Sequence, residues 1–125
     1  MTFGQEILRA FLLAFGTIEV ITNIIHLTKK NGLDLARKQH GELPKNISSN
    51  NIKLKVICML LSGLVFFVVS LSTYIFHKYT SNAIIMASIL FSIYGVIEGL
   101  YYRYWKTFGF AFVTILLMIC SILLR

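Results

Sequence analysis

Four apolar runs alternate with polar connections along the chain: Leu8 to Leu27, Val56 to Phe76, Ala83 to Tyr102 and Phe108 to Leu124. Each falls in the window of roughly 17–25 residues that an α-helix needs to cross about 30 Å of hydrocarbon. The runs lack the strict apolar–polar alternation of a membrane β-barrel, so strands are excluded. The pattern predicts an all-α fold, an integral membrane four-helix bundle, with residues 1–125 forming a single membrane domain. The first run is expected to be a retained helix and not a cleaved signal peptide. Glu6 precedes Arg9, Glu19 and Asn23 interrupt the apolar stretch, and no small-residue cleavage site follows.

The connection over residues 28–55 is the one long polar stretch and carries seven Lys and Arg residues. Gly32 suits the end of the first helix. Leu33 to Leu43 fits a short helix on the membrane surface that Pro44 would terminate. Ser48, Ser49, Asn50 and Asn51 form a polar linker with an N-cap for the second span. The other two connections, over residues 77–82 and 103–107, are tight turns.

Composition points the same way. Hydrophobic residues make up 57% of the chain and mean hydropathy is +0.76, against about 45–50% apolar residues in soluble domains. A soluble fold of this size buries too little surface to hide them. The net charge of +7 resides in the connections, and no nucleic-acid-reading motif accompanies it, so nucleic acid is excluded as a partner. The 28–55 and 103–107 connections together hold nine Lys and Arg residues, whereas the opposite side holds Arg9, Lys78 and Arg125. The positive-inside rule then places residues 28–55 in the cytoplasm and both termini outside the cell membrane. Tyr101, Tyr102, Tyr104 and Trp105 fit an inner aromatic belt, and Tyr74 and Tyr79 an outer one. Cys58 and Cys120 lie inside apolar runs and read as small buried hydrophobes. Neither a zinc spacing nor a cofactor motif is present, so no metal and no cofactor are expected.

The candidate chemistry centres on the first run. Gly16, Glu19, Asn23 and His26 recur at spacings of three, four and three, which makes one stripe on a helix, with Thr22 beside it. A central acid facing lipid costs roughly 2.5–3.5 kcal/mol, so the stripe must face protein or water. Glu98 lies in the third run between Gly95 and Gly99, a close-packing step. Counted back from Arg103 and Thr28, Glu98 and Asn23 lie roughly 7–8 Å below the inner interface, and Glu19 about 6 Å deeper. The first and third spans run in the same direction, which predicts one cytoplasm-facing pocket lined by both acids, with His26 near its entrance. Such a site suits a proton, a cation or a small polar ligand, because two carboxylates in a low dielectric resist being ionised together. The alternative is that these groups join helices through hydrogen bonds of about 0.6–2 kcal/mol, with Glu98 paired to Arg103 or His26. In the connection, Arg37 and His40, with Arg103, are candidate contacts for an anionic ligand or headgroup. The alternative there is a solvated basic loop. No nucleophile–base pair, phosphate loop or HExxH motif is present, so no catalytic residue is assigned.

Two resemblances bear on function. Ala14 to Val20, with its acid in the first of four short helices, resembles the small multidrug resistance transporters. That likeness implies a carboxylate, here Glu19, that takes protons and cationic drugs by turns. The long basic connection and the third run depart from that family. Arg37-Lys38-Gln39-His40 with Glu42, and Arg103-Tyr104, resemble segments of the membrane-associated glutathione-using enzymes. That likeness implies four helices with an active-site motif in a basic first connection, although Gly41-Glu42 stands where that family carries its Asn. Three function classes follow: a transporter- or channel-like protein, a non-catalytic accessory, regulatory or immunity protein, and a glutathione-type enzyme. Four short helices enclose little volume, so a homo-oligomer or a larger membrane-protein partner is expected.

Single cysteines introduced at Ser48–Asn51 should react with a membrane-impermeant maleimide only after cells are opened. Ready labelling on intact cells would invert the expected topology.

Overall fold

The computed structural model describes residues 1–125 as five helices without strands. Helix α1 spans Phe3–Thr28 and starts at a capping box, in which the Thr2 side chain accepts from the Gln5 amide and Gln5 reaches back to the Thr2 amide. Helix α2 covers Gly32–Gln39. Helix α3 covers Ser49–Ile75 and is capped by Ser48, whose hydroxyl accepts from the Asn51 amide. Helices α4, Ser81–Tyr102, and α5, Trp105–Leu123, are joined by two residues, with Arg103 in the left-handed conformation that so short a turn requires.

Helices α1, α3, α4 and α5 are each long and apolar enough to cross a bilayer. The radial distribution of side chains agrees. The interior holds as many polar or charged residues as hydrophobic ones, twelve of each, while large aliphatic residues such as Ile18, Leu61, Met86, Leu90 and Leu116 face outward. In water this arrangement would expose a continuous apolar surface; in lipid that surface needs no cover. The chain is a multi-pass membrane protein with the expected all-α architecture.

Three local expectations change. Helix α3 starts at Ser49, seven residues before Val56, so its basic N-terminal stretch is helical and not a loop. Helix α2 stops at Gln39, short of Pro44, and its apolar side is not left for the membrane surface. Ala36, together with Leu43, packs on Ile52 and Val56 of α3. Gly32 opens α2 instead of closing α1. A side chain there would collide with the backbone of His26, so glycine is what lets α2 turn back against the end of α1.

The spans pack as two antiparallel pairs, α1 with α3 and α4 with α5. In the first pair Gly16 lies against the α3 backbone: a Cβ there would come 2.6 Å from the Phe67 nitrogen and 2.7 Å from the Gly63 oxygen. In the second, Thr114 sits over Gly95, and the Ser88 and Ser121 hydroxyls are 2.8 Å apart. These are the small-residue seams by which membrane helices approach closely. Phe91 of α4 joins the pairs, with ring centroids 5.8 Å from Phe15, 5.3 Å from Phe66 and 5.7 Å from Phe110.

Gly16→Ala should force α1 off α3 and cost about 1–3 kcal/mol, measured by SDS titration of the detergent-solubilised protein. Gly109→Ala, where nothing lies within 4 Å, should be neutral or slightly stabilising.

Candidate functional site

The α1 stripe faces protein along its length. Asn23 is fully buried, His26 is 7% exposed and Glu19 is half-buried. Asn23 Nδ2 donates to the Glu19 carbonyl at 2.7 Å and to Glu19 Oε2 at 2.8 Å. The same amide presents Oδ1 to His40 Nε2 at 3.1 Å. Residues four apart on one helix meet this way, and the third partner arrives because α2 folds back over the end of α1. A bond from Gln39 Nε2 to the Thr22 hydroxyl, 3.1 Å, ties down the same end of α2.

From His40 the polar groups continue across the bundle. Its Nδ1 lies 3.6 Å from Glu42 Oε1, and that oxygen is 3.1 Å from Lys55 Nζ. Lys55 Nζ in turn donates to Glu98 Oε1 at 2.6 Å, and the Tyr94 hydroxyl donates to Glu98 Oε2. The ammonium also lies 3.7 Å from the centre of the Phe110 ring, a cation–π contact strengthened by desolvation. Thr107 of α5 donates to the Glu42 carbonyl at 2.6 Å, which fixes the 40–48 connection against α5. A single chain of polar contacts thus runs Glu19–Asn23–His40–Glu42–Lys55–Glu98–Tyr94, using α1, the connection that follows α2, α3 and α4.

Glu42 lies in the connection, outside the spans. Burial alone would raise its carboxyl, but the His40 ring and the Lys55 ammonium outweigh that and bring it from 4.5 to about 2. The stabilisation gained from its ionised form is complete above 4.5 and is lost as pH falls through about 2.

The two acids of the spans do not share one pocket. Glu19 borders a cavity of about 260 Å³ on the α1/α5 side, together with Phe15, Gln39, His40, Glu42 and Phe110. Glu98 borders another of about 240 Å³ on the α3/α4 side, with Asn51, Leu54, Tyr94 and Tyr101. Lys55 and Glu42 stand between them. The ion pair of Glu98 is made with Lys55, and with neither Arg103 nor His26. The reason is the early start of α3, which carries Lys55 inside the bundle at 2% exposure. His26 lies beside the chain of contacts: its ring is 6.1 Å from that of His40, and its buried Nδ1 has no partner. Arg37 and His40 border a common cavity, but Arg103 does not; Tyr104 and Lys106 take its place there.

Lys55 and Glu42 escape a reading by hydropathy because cations and acids next to an apolar run look like interfacial residues, and Tyr94 because it blends into the apolar run that contains it. For Lys55 the signal is the Ser48 cap. A helix started there puts Ile52, Lys55, Val56 and Met59 at helical spacing on one inward side. No group of three His, Cys, Asp or Glu residues is gathered as metal ligands. No family model matches the chain, and no curated protein or solved structure is significantly similar to it.

Lys55→Met should leave Glu42 and Glu98 without their cation and cost about 3–5 kcal/mol, read as thermal unfolding in detergent. Adding Glu98→Leu should restore part of the loss. A single variant as stable as the wild type would show that the buried pair is dispensable.

Proposed function

We propose that the chain is a transporter- or channel-like membrane protein that takes a proton or small cation at Glu19. The observation that carries this reading is the charge balance of the polar chain. Three carboxylates, those of Glu19, Glu42 and Glu98, accompany one ammonium, and Lys55 is committed to Glu42 and Glu98. Glu19 is left with an amide partner only and borders a cavity. A low-dielectric site with surplus negative charge gains from a proton or a cation. Asn23 holds the carboxylate in place, and His40 connects it to Glu42.

The Lys/Arg asymmetry supports a cell-membrane location with both termini external and residues 28–55 cytoplasmic. On this topology the Glu19 cavity lies toward the cytoplasmic half of the bilayer. A second copy or a larger membrane protein as a neighbour belongs to this reading, because four short helices enclose little volume by themselves.

A non-catalytic accessory protein is the second reading. The glycine seam at Gly16 and Gly63 and the self-contained Lys55 ion triad favour it, because both hold helices together without any ligand.

Glu19→Gln separates the two readings, since glutamine keeps the size and the hydrogen bonding but cannot ionise. In nanodiscs the variant should fold as the wild type does. It should lose the proton release expected when monovalent metal ions or tetraalkylammonium ions bind to the wild type. Wild-type behaviour of the variant, or no proton release from the wild type with any of these cations, would remove the coupling role and leave the accessory reading.

A further inference from the structure

A cavity larger than the one beside Glu19 lies elsewhere in the molecule. It measures about 410 Å³ and lies between α2, the 40–48 connection and the start of α5, within the range of about 300–1,000 Å³ typical of small-molecule sites. Arg37, Lys38, Lys45 and Lys106 border it, together with His40 and Tyr104, and no acid does. None of the four cations lies within ion-pairing distance of a carboxylate, since the salt bridges of the chain involve only Arg9, His40 and Lys55 as bases. Arg37 makes one weak bond, to the Lys45 carbonyl at 3.3 Å, which leaves most of its guanidinium donors free.

Ordinary helix electrostatics explains part of this cluster. Arg37 and Lys38 lie in the last turn of α2, where cations complement the dipole. That account does not reach Lys45, in the connection, or Lys106, in the first turn of α5. Lys106 stands at the end of a helix dipole that disfavours a cation, and α5 has no side-chain cap there. Two segments distant in sequence therefore bring like charges to one concavity, beside a helix start that itself attracts anions.

We infer that this cavity binds a phosphate-bearing anion, a phosphomonoester carried by a lipid headgroup or by a small solute. The charge of the class fits. A phosphomonoester carries about −1.5 to −2 at neutral pH and offers three acceptor oxygens, which matches several unpaired ammonium groups and a guanidinium fork better than a single carboxylate does. Leu43, Pro44 and Ile52 form the remaining wall and accept the carbon part of the ester. The site is separate from Glu19, which does not border it.

Trp105 is the only tryptophan, and the Lys106 ammonium lies 5.4 Å from its ring centre, so its fluorescence reports on Lys106. The full chain in phosphatidylcholine nanodiscs is titrated with glycerol 3-phosphate; in a second arm, nanodiscs contain increasing phosphatidic acid. A saturable change in Trp105 emission is expected in at least one arm. A response in one arm alone assigns the ligand to solution or to lipid, and both outcomes support the site. Lys38→Gln with Lys45→Gln should weaken binding roughly 25-fold, about fivefold per cation. These side chains make no hydrogen bond within the chain, and Lys106 stays in place as part of the probe. The control, Lys29→Gln with Lys30→Gln, removes the same charge outside the cavity and should change affinity less than about threefold at 0.15 M salt. No saturable response in either arm, or equal weakening by the control pair, overturns the site.

Discussion

The ammonium of Lys55, on a residue only 2% exposed, is held by Glu42, Glu98 and the face of Phe110. A lone buried charge of this kind would cost several kcal/mol, so each partner constrains an element. Glu98 sets the position of α4 against α3. Glu42 holds the 40–48 connection over the end of the bundle, and Thr107 fastens that connection to α5. Glu42 also approaches His40, and His40 fixes Asn23 and through it Glu19. The candidate site on α1 is thus built outward from one cation on α3.

The remainder of the bundle follows the rules of lipid as a solvent. Without water to drive apolar surfaces together, the spans associate through close backbone approach and hydroxyl pairs. Gly16 and Gly63 serve one pair of helices, and Gly95, Ser88 and Ser121 the other. Most other buried hydroxyls bond within their own helix, as Ser70 and Thr73 do to Phe66 and Ser70 carbonyls, so they add no unsatisfied groups to the seams. The Phe15, Phe66, Phe91 and Phe110 cluster is the aromatic centre that keeps the two pairs in register. Two cavities flank the polar chain because the pairs meet along this centre and not over their whole length.

Helix α2 and its connection have two sides with different electrostatics. Toward the bundle they present His40 and Glu42 to a network with surplus negative charge. Toward the outside they present Arg37, Lys38 and Lys45 to a cavity with none. His40 is the wall between the two. One short segment therefore separates an interior in which carboxylates outnumber cations from a rim whose cations have no carboxylate partner.

Hydropathy and spacing along the chain determined the membrane class, the four spans and the inward face of Gly16, Glu19, Asn23 and His26. Those features depend on local properties: the length of an apolar run, the 3.6-residue period and the cost of an acid in lipid. The Ser48 cap is legible too, but charge pattern alone does not show that Lys55 belongs to the helix it starts. Tertiary structure decided which charges meet. Glu98 took Lys55 in place of Arg103 or His26, the two acids were placed on opposite flanks, and Arg37 was grouped with Lys106 rather than Arg103. Pairing of this kind depends on the rotation of each helix about its axis and on the path of a connection folded back over the bundle. Neither leaves a periodic trace in the sequence, because a Lys at the edge of an apolar run looks the same whether it snorkels to the interface or turns inward to an acid.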